Sequence, residues 1–261
     1  MNRSETVGYH ELRPRDLVER REARPVAYFG LGILEWHGLH NPLGLDGLKA
    51  DEIAVSLAKE LGGVAMPPLF WGDNRRVVCE LVFDPDVSPW LPDGTPDHTR
   101  AIASHMGISL EDMEANAVRA EREGGWRLWK ELILHSLFQI QTFGFKAVVL
   151  IPGHYPLVDP LEESLAAYRK EGGKMESLVL TDEMYAEDGS SGDHAAAFET
   201  SLLMALRPEL VDLSELDPDP GSIPVGVLGD DPRTGASAEF GRDIMRKFTT
   251  ITRNWLAELG M

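Results

Sequence analysis

The chain has 261 residues, 43 acidic and 25 basic side chains, and a formal net charge of −18 at pH 7. Such a surface repels nucleic acid and anionic membranes, which both need a basic patch to displace counterions. No apolar run approaches the roughly eighteen residues that a transmembrane helix needs.

An apolar fraction of 43% is ordinary for a globular chain and allows a sizeable core. The length fits a single domain, 1–261, with an insertion at about 73–110. The first 25 residues are polar and lack the apolar stretch of a secretory signal, and their basic cluster RREAR reads as part of a helix. Cys79 is the single cysteine, so it forms neither an intramolecular disulfide nor a zinc–cysteine site. Both features predict a cytoplasmic protein.

In chain order, PVAYFGLG (25–32) reads as a buried strand. The segment GILEWHGLHNPLGLD (32–46) follows and gathers Glu35, His37, His40 and Asp46. DGLKADEIAVSLAKELGG (46–63) has apolar residues at three-and-four spacing and stops on Gly62–Gly63, a helix pattern. DPDVSPWLPDGTPDHTR (84–100) is dense in Pro, Asp and Gly and predicts a long irregular loop, a lid or an assembly arm. A Ser-x-x-Asp cap at Ser109 opens a helix to about Phe143, with a break expected at Gly124–Gly125. KAVVLIPG (146–153) is a second strand and runs directly into GHYP. A helix over 160–173, a strand ESLVLTD (176–182), a helix DHAAAFETSLLMALRP (193–208) and an acidic turn region (212–224) come next. A Gly-rich turn, GVLGDDPRTGASAEFGR, precedes a last helix over 236–259 and lacks P-loop spacing.

Strands alternating with helices predict an α/β fold, a mostly parallel sheet flanked by helices on both faces. Sites in such sheets form at the carboxyl ends of strands. Two of the three strands end in His-bearing loops. In extended chain, residues two apart point the same way, so Glu35 and His37 can face one cavity, and a turn through Pro42 and Gly44 can return Asp46 to it. Carboxylate and imidazole together suit zinc, manganese or iron. The same residues also read as a polar loop in which Asp46 caps the next helix. His154 ends the second strand as a ligand or as a hydrogen-bonded loop residue. Asp193 and His194 open a helix that carries Glu199. A helix N-terminus disfavours imidazolium, a nearby Asp opposes that, and the balance favours acid–base exchange near neutrality. The competing reading makes Asp193 an N-cap and Glu199 a surface carboxylate. Ser191 and Ser201 form no Gly-x-Ser-x-Gly elbow. Trp71, Trp90 and Tyr155 are candidates for a pocket wall, or for core or interface.

Four ordered blocks resemble the creatininase (creatinine amidohydrolase) family: GILEWHGLHNPLGLD, FGFKAVVLIPGHYP, DHAAAFETS and GVLGDDPRTGASAEFGRDI. The resemblance runs from about residue 26 to the C-terminus, excluding about 73–125. It implies an α/β fold, two divalent metal ions per chain, and a homo-oligomer, commonly a hexamer. Carried over, Glu35 and His37 would bind different metals, Asp46 would bridge them, His154 would be a further ligand, and His194 would be the catalytic histidine. Creatininase has a Glu where Pro156 stands here, and Glu199 is the obvious substitute for it. Ile151–Pro152, the run YPLVDP, Ala196 and the 84–108 segment also depart from the family pattern, so a non-creatinine member is expected.

The implied function is metal-dependent hydrolysis of a small polar, cyclic substrate: a cyclic amide, a formamide, or a keto-inositol ring such as 3-dehydro-scyllo-inosose. A hydroxide bridging the metals would attack a carbonyl carbon, and His194, oriented by Asp193, would protonate the leaving atom. The alternative is a non-catalytic metal- or ligand-binding protein retaining the fold.

Overall fold

The structure, a computed structural model, describes residues 6–71, 97–113, 115, 126–186 and 192–261. Cys79, Trp90, Ser191, the Gly124–Gly125 break and most of the 84–100 stretch lie outside the described residues. The elements run α1 (Pro14–Ala23), β1 (Val26–Leu31), α2 (Leu45–Leu61), β2 (Val64–Ala65), α3 (Thr99–Met106), α4 (Trp126–Thr142), β3 (Ala147–Pro152), α5 (Val158–Lys170), β4 (Glu176–Val179), α6 (Ala197–Leu206) and α7 (Ala238–Glu258).

The four strands form one parallel sheet in the order β2-β1-β3-β4. Val26 pairs with Ala147 and Leu31 with Pro152, so β1 and β3 end level with each other. All residues of β1 and β3 are buried, as a sheet covered on both faces requires. Alternation assigns their side chains to two cores. Val26, Tyr28, Ala147, Val149 and Ile151 pack with α2, α6 and α7 through Ile53, Leu57, Leu202, Ile244 and Phe248. Ala27, Phe29, Leu31, Val148 and Leu150 pack with α4 and α5 through Ile133, Leu137, Leu161 and Leu165. The expected α/β architecture, with helices on both faces, is the one found.

The strand order has a consequence for function. After β1 the chain adds β2 on one side, and then β3 on the other. That reversal opens a crevice outside the carboxyl ends of β1 and β3, the position where parallel sheets hold ligands. Both His-bearing loops start there.

One local expectation, the start of the 193–208 helix, needs correction, and two short elements stand outside the sequence reading. β2 is two residues long, too short to stand out as an apolar run. α6 begins at Ala197, not Asp193, because Ala195 has φ 54° and breaks the helical path. Within the expected insertion, Thr99–Met106 is helical, and its buried Ile102 packs on Trp36. The Ser109 cap is present, since its hydroxyl oxygen accepts from the Asp112 N–H at 3.3 Å. Among the described residues, no helix is long and apolar enough to cross a membrane.

Candidate metal centre

The crevice is lined by side chains from four places in the chain. Glu35 and His37 follow β1, Asp46 lies in the first turn of α2, His154 follows β3, and His194 and Glu199 lie before and within α6. Close backbone packing sets the approach of α2. A Cβ on Gly32 would overlap the backbone of Gly47, and one on Gly153 would overlap the carbonyl of Asp46. Glycine at both positions lets the helix rest on the two strand ends and aim Asp46 between them. Asp46 is therefore inside the helix rather than its N-cap, which is Gly44.

Glu35, His37, Asp46, His154 and Glu199 are all at least 95% buried. His37 Nε2 is 3.0 Å from Asp46 Oδ1 and 3.6 Å from Glu199 Oε2. His154 Nδ1 is 3.1 Å from Glu35 Oε2 and 3.3 Å from Asp46 Oδ2. His194 Nδ1 is 3.8 Å from Glu35 Oε2. Ligand atoms of Glu35, Asp46 and His154 lie within 4.8 Å of one another, and so do those of His37, Asp46 and Glu199. Asp46 belongs to both groups. A third group joins Glu35, His37 and His194.

Whether these residues suit a cation can be judged from their hydrogen bonds. Neither oxygen of the buried Glu35 accepts one. An uncompensated buried carboxylate is costly, and a cation removes that cost. His37 Nδ1 lies 3.1 Å from the Glu35 carbonyl oxygen, which can only accept, so Nδ1 carries the proton. Nε2 then meets two carboxylate oxygens with its lone pair unless a second proton or a metal stands between them. Without metal the proton takes that place. Burial alone would lower the His37 pKa, but Asp46, Glu199 and Glu35 outweigh it and raise it to about 9. Burial would likewise raise Asp46, yet His37 and His154 hold it well below the carboxylate range. The donor set of carboxylates and imidazoles fits a divalent ion such as zinc or manganese.

His194 and Asp193 are placed differently from expectation. His194 Nε2 donates to the Trp36 carbonyl at 2.8 Å, which directs Nδ1 at the carboxylates. Its ring stacks on His37, with centroids 4.5 Å apart. Its backbone is clamped by two hydrogen bonds to Leu228, each 2.9 Å. The Gly-rich turn thus holds His194. Gly226, at φ 67°, accommodates the Trp36 ring, which a Cβ there would strike. The side chain of Asp193 instead accepts from the N–H groups of Phe198 (2.6 Å) and Glu199 (3.1 Å) at the start of α6. Burial lowers the His194 pKa, and Glu35, not Asp193, is the strongest opposing charge. Burial, and then Glu199, raise Asp193 to about 7 against those two backbone bonds.

One buried charge, Lys49, stands outside the sequence reading. Lys49 lies three residues after Asp46 on the same helix face and is 1% exposed. Its Nζ is 2.5 Å from Glu199 Oε1 and 2.7 Å from Asp182 Oδ2. Glu199 is therefore buried, not a surface carboxylate. Beside it, His40 Nε2 is 3.1 Å from the Thr200 hydroxyl, and Asn41 Nδ2 donates to the same hydroxyl at 3.0 Å. Of the aromatic candidates for a pocket wall, core or interface, the two among the described residues are exposed, Trp71 at 71% and Tyr155 at 65%.

Comparison with known proteins bears on the fold and the family. Residues 127–256 match the family profile described as creatinine amidohydrolase. A creatinine amidohydrolase from Pseudomonas putida is 25% identical over 213 residues, covering 74% of this chain and 69% of that protein. Among solved structures, a mutant creatininase of Zn–Zn type superposes with a TM-score of 0.68 at 21% identity, over 97% of this chain and 98% of its own. A second solved structure, Creatininase Mn, gives 0.65 at 22% identity, with the same coverage of both chains.

Proposed function

We propose that this chain, a distant member of the creatininase family, is a metal-dependent hydrolase of a small polar substrate with a carbonyl carbon. The observation that carries this reading is Asp46, shared between two ligand groups at the switch point of a parallel sheet. Glu35, Asp46 and His154 would hold one divalent ion, and His37, Asp46 and Glu199 a second. Bound there, the ions would acidify a water and polarise the substrate carbonyl. The protein supplies the rest. Asp46 orients both groups, because α2 is locked onto Gly32 and Gly153. His194 presents Nδ1 to the cluster with its other nitrogen already bonded to Trp36. A lowered pKa keeps it neutral, so it takes a proton first and then delivers it to the leaving nitrogen or carbon.

The departures in the second and third blocks favour a substrate other than creatinine: another cyclic amide, a formamide or a keto-inositol ring. A cytoplasmic homo-oligomer, with six copies by the family resemblance, belongs to the same reading. Leu34, Leu39 and Leu43, each 40–45% exposed beside the cluster, give a second copy something to cover.

The test is elemental analysis after reconstitution with zinc or manganese, comparing wild type with Asp46→Ala. About two ions per chain, lost in the variant, are expected, and would justify screening the three substrate classes. A wild-type protein that binds no metal after reconstitution would overturn the reading in favour of a binding protein.

A further inference from the structure

Glu35 and His37 face the cluster, and Trp36 between them packs the other way, against Ile102 of α3, as alternation along extended chain directs. The Trp36 ring is 4% exposed and stacks with His105, at 5.7 Å between centroids. Its Nε1–H donates to the Val225 carbonyl at 3.0 Å, and Gly226 lies against the ring. The start of α3 reaches the same Gly-rich turn. His98, the residue that opens the helix, accepts the Gly226 N–H on Nδ1 at 2.8 Å. Nδ1 can accept only while it carries no proton. Burial lowers the His98 pKa, against the opposing charge of Asp97, and so favours that state.

We propose that α3 positions His194 by tying together the two backbone supports of that residue, Trp36 through Ile102 and the 226–228 turn through His98. The inference rests on the reading of His194 as the acid–base group. One support is the Trp36 carbonyl, which accepts the imidazole Nε2–H at 2.8 Å. The other is Leu228, whose N–H and carbonyl both bond the His194 backbone. The turn that carries Leu228 has glycines at positive φ on either side, Gly226 at 67° and Gly229 at 134°. Glycine holds a conformation weakly by itself, so the turn needs an outside tie. It is also close-packed: a Cβ on Gly229 would strike the side chains of Asp193 and Ala196, which flank His194. A shift of the turn therefore carries His194 with it. His98 is a positioning residue that acts through Gly226.

The experiment is backbone amide exchange in the full-length, zinc-reconstituted protein, with kcat and KM measured on a substrate from the classes above. His98→Leu keeps bulk and removes the acceptor. Exchange at His194, Gly226 and Leu228 should quicken by about 10-fold, the weight of one lost hydrogen bond, while α2 and β1 exchange as in wild type. With His194 displaced, kcat should fall by about 10–100-fold and KM change little. His98→Asn keeps an acceptor oxygen and should restore both exchange and kcat. Should His98→Leu fail to fold, exchange of wild type in low urea decides, since α3 and these amides should open as one unit. Unchanged exchange in His98→Leu, loosening spread over α2 and β1, no rescue by His98→Asn, or separate opening in urea would overturn the inference. So would a loosened turn with unchanged kcat, where His194→Ala is inactive. Full turnover by His194→Ala would instead overturn the acid–base reading, and the role of α3 in turnover with it.

Discussion

His194 and Asp193 are neighbours in the chain with separate structural partners. The imidazole is fixed by the Trp36 carbonyl and faces Glu35, while the carboxylate of Asp193 satisfies two orphan N–H groups of α6. We expect His194→Ala to keep its metal and lose turnover by about 10²–10⁴-fold, the usual weight of one general acid–base group. Unchanged turnover, on whichever substrate the screen identifies, would remove His194 from the chemistry. Asp193→Ala should lower stability by about 1 kcal/mol, as loss of a capping side chain does, and should cost turnover less than His194→Ala. Equal loss of turnover at an unchanged melting temperature would place Asp193 in the chemistry instead. His40 gives a prediction of another kind. Burial depresses its pKa from 6.5 to about 4, against the nearby Ala195 backbone and Asp231. The folded state therefore binds fewer protons than the unfolded state between those values. The stability that His40 contributes is full above pH 6.5 and is lost as pH falls towards 4, on the order of 3 kcal/mol in all. In chelator-stripped protein, the melting temperature of His40→Gln should fall less than that of wild type across this window. Parallel curves would show that His40 is not the acid-sensitive group.

At the scale of elements, the site depends on α2 lying against two strand ends. Gly32 and Gly153 permit that contact, and neither has room for a methyl group. Gly153→Ala should push the Asp46 turn outward, destabilise the fold by about 1–3 kcal/mol as overpacking does, and release metal. A variant that melts normally and keeps its ions would show that α2 has slack. How much of this was legible follows from the length scale of each signal. β1 and β3 were plain, because six consecutive buried residues leave a continuous apolar run. Glu35, His37 and His154 were visible because they sit in loops directly after those runs. The start of α6 was misplaced, since nothing local marks the positive φ of Ala195. Lys49 was missed for a physical reason: its partners Asp182 and Glu199 are 133 and 150 residues away. A lysine on a helix ordinarily reads as exposed, and the clue was its position three residues after Asp46, on a face otherwise apolar.

Over the whole molecule, a chain of net charge −18 encloses three carboxylates of its cluster away from water. Their mutual repulsion opposes folding, and in metal-free protein the His37 proton and Lys49 offset only part of it. Divalent ions bound to the native state alone would stabilise it by mass action, about 2.7 kcal/mol per site at a hundredfold excess over the dissociation constant. For a chain of this size, each kcal/mol moves the melting temperature by roughly 2–4 °C. Stripping the protein with a strong chelator should therefore lower its melting temperature by roughly 5–10 °C for each ion removed. Adding zinc back should restore it. Differential scanning calorimetry at buffered zinc concentrations measures this directly. A melting temperature indifferent to chelator and to zinc would mean that the buried carboxylates are balanced by the protein itself, and that the cluster at the strand ends is a structural ion-pair network rather than a metal centre.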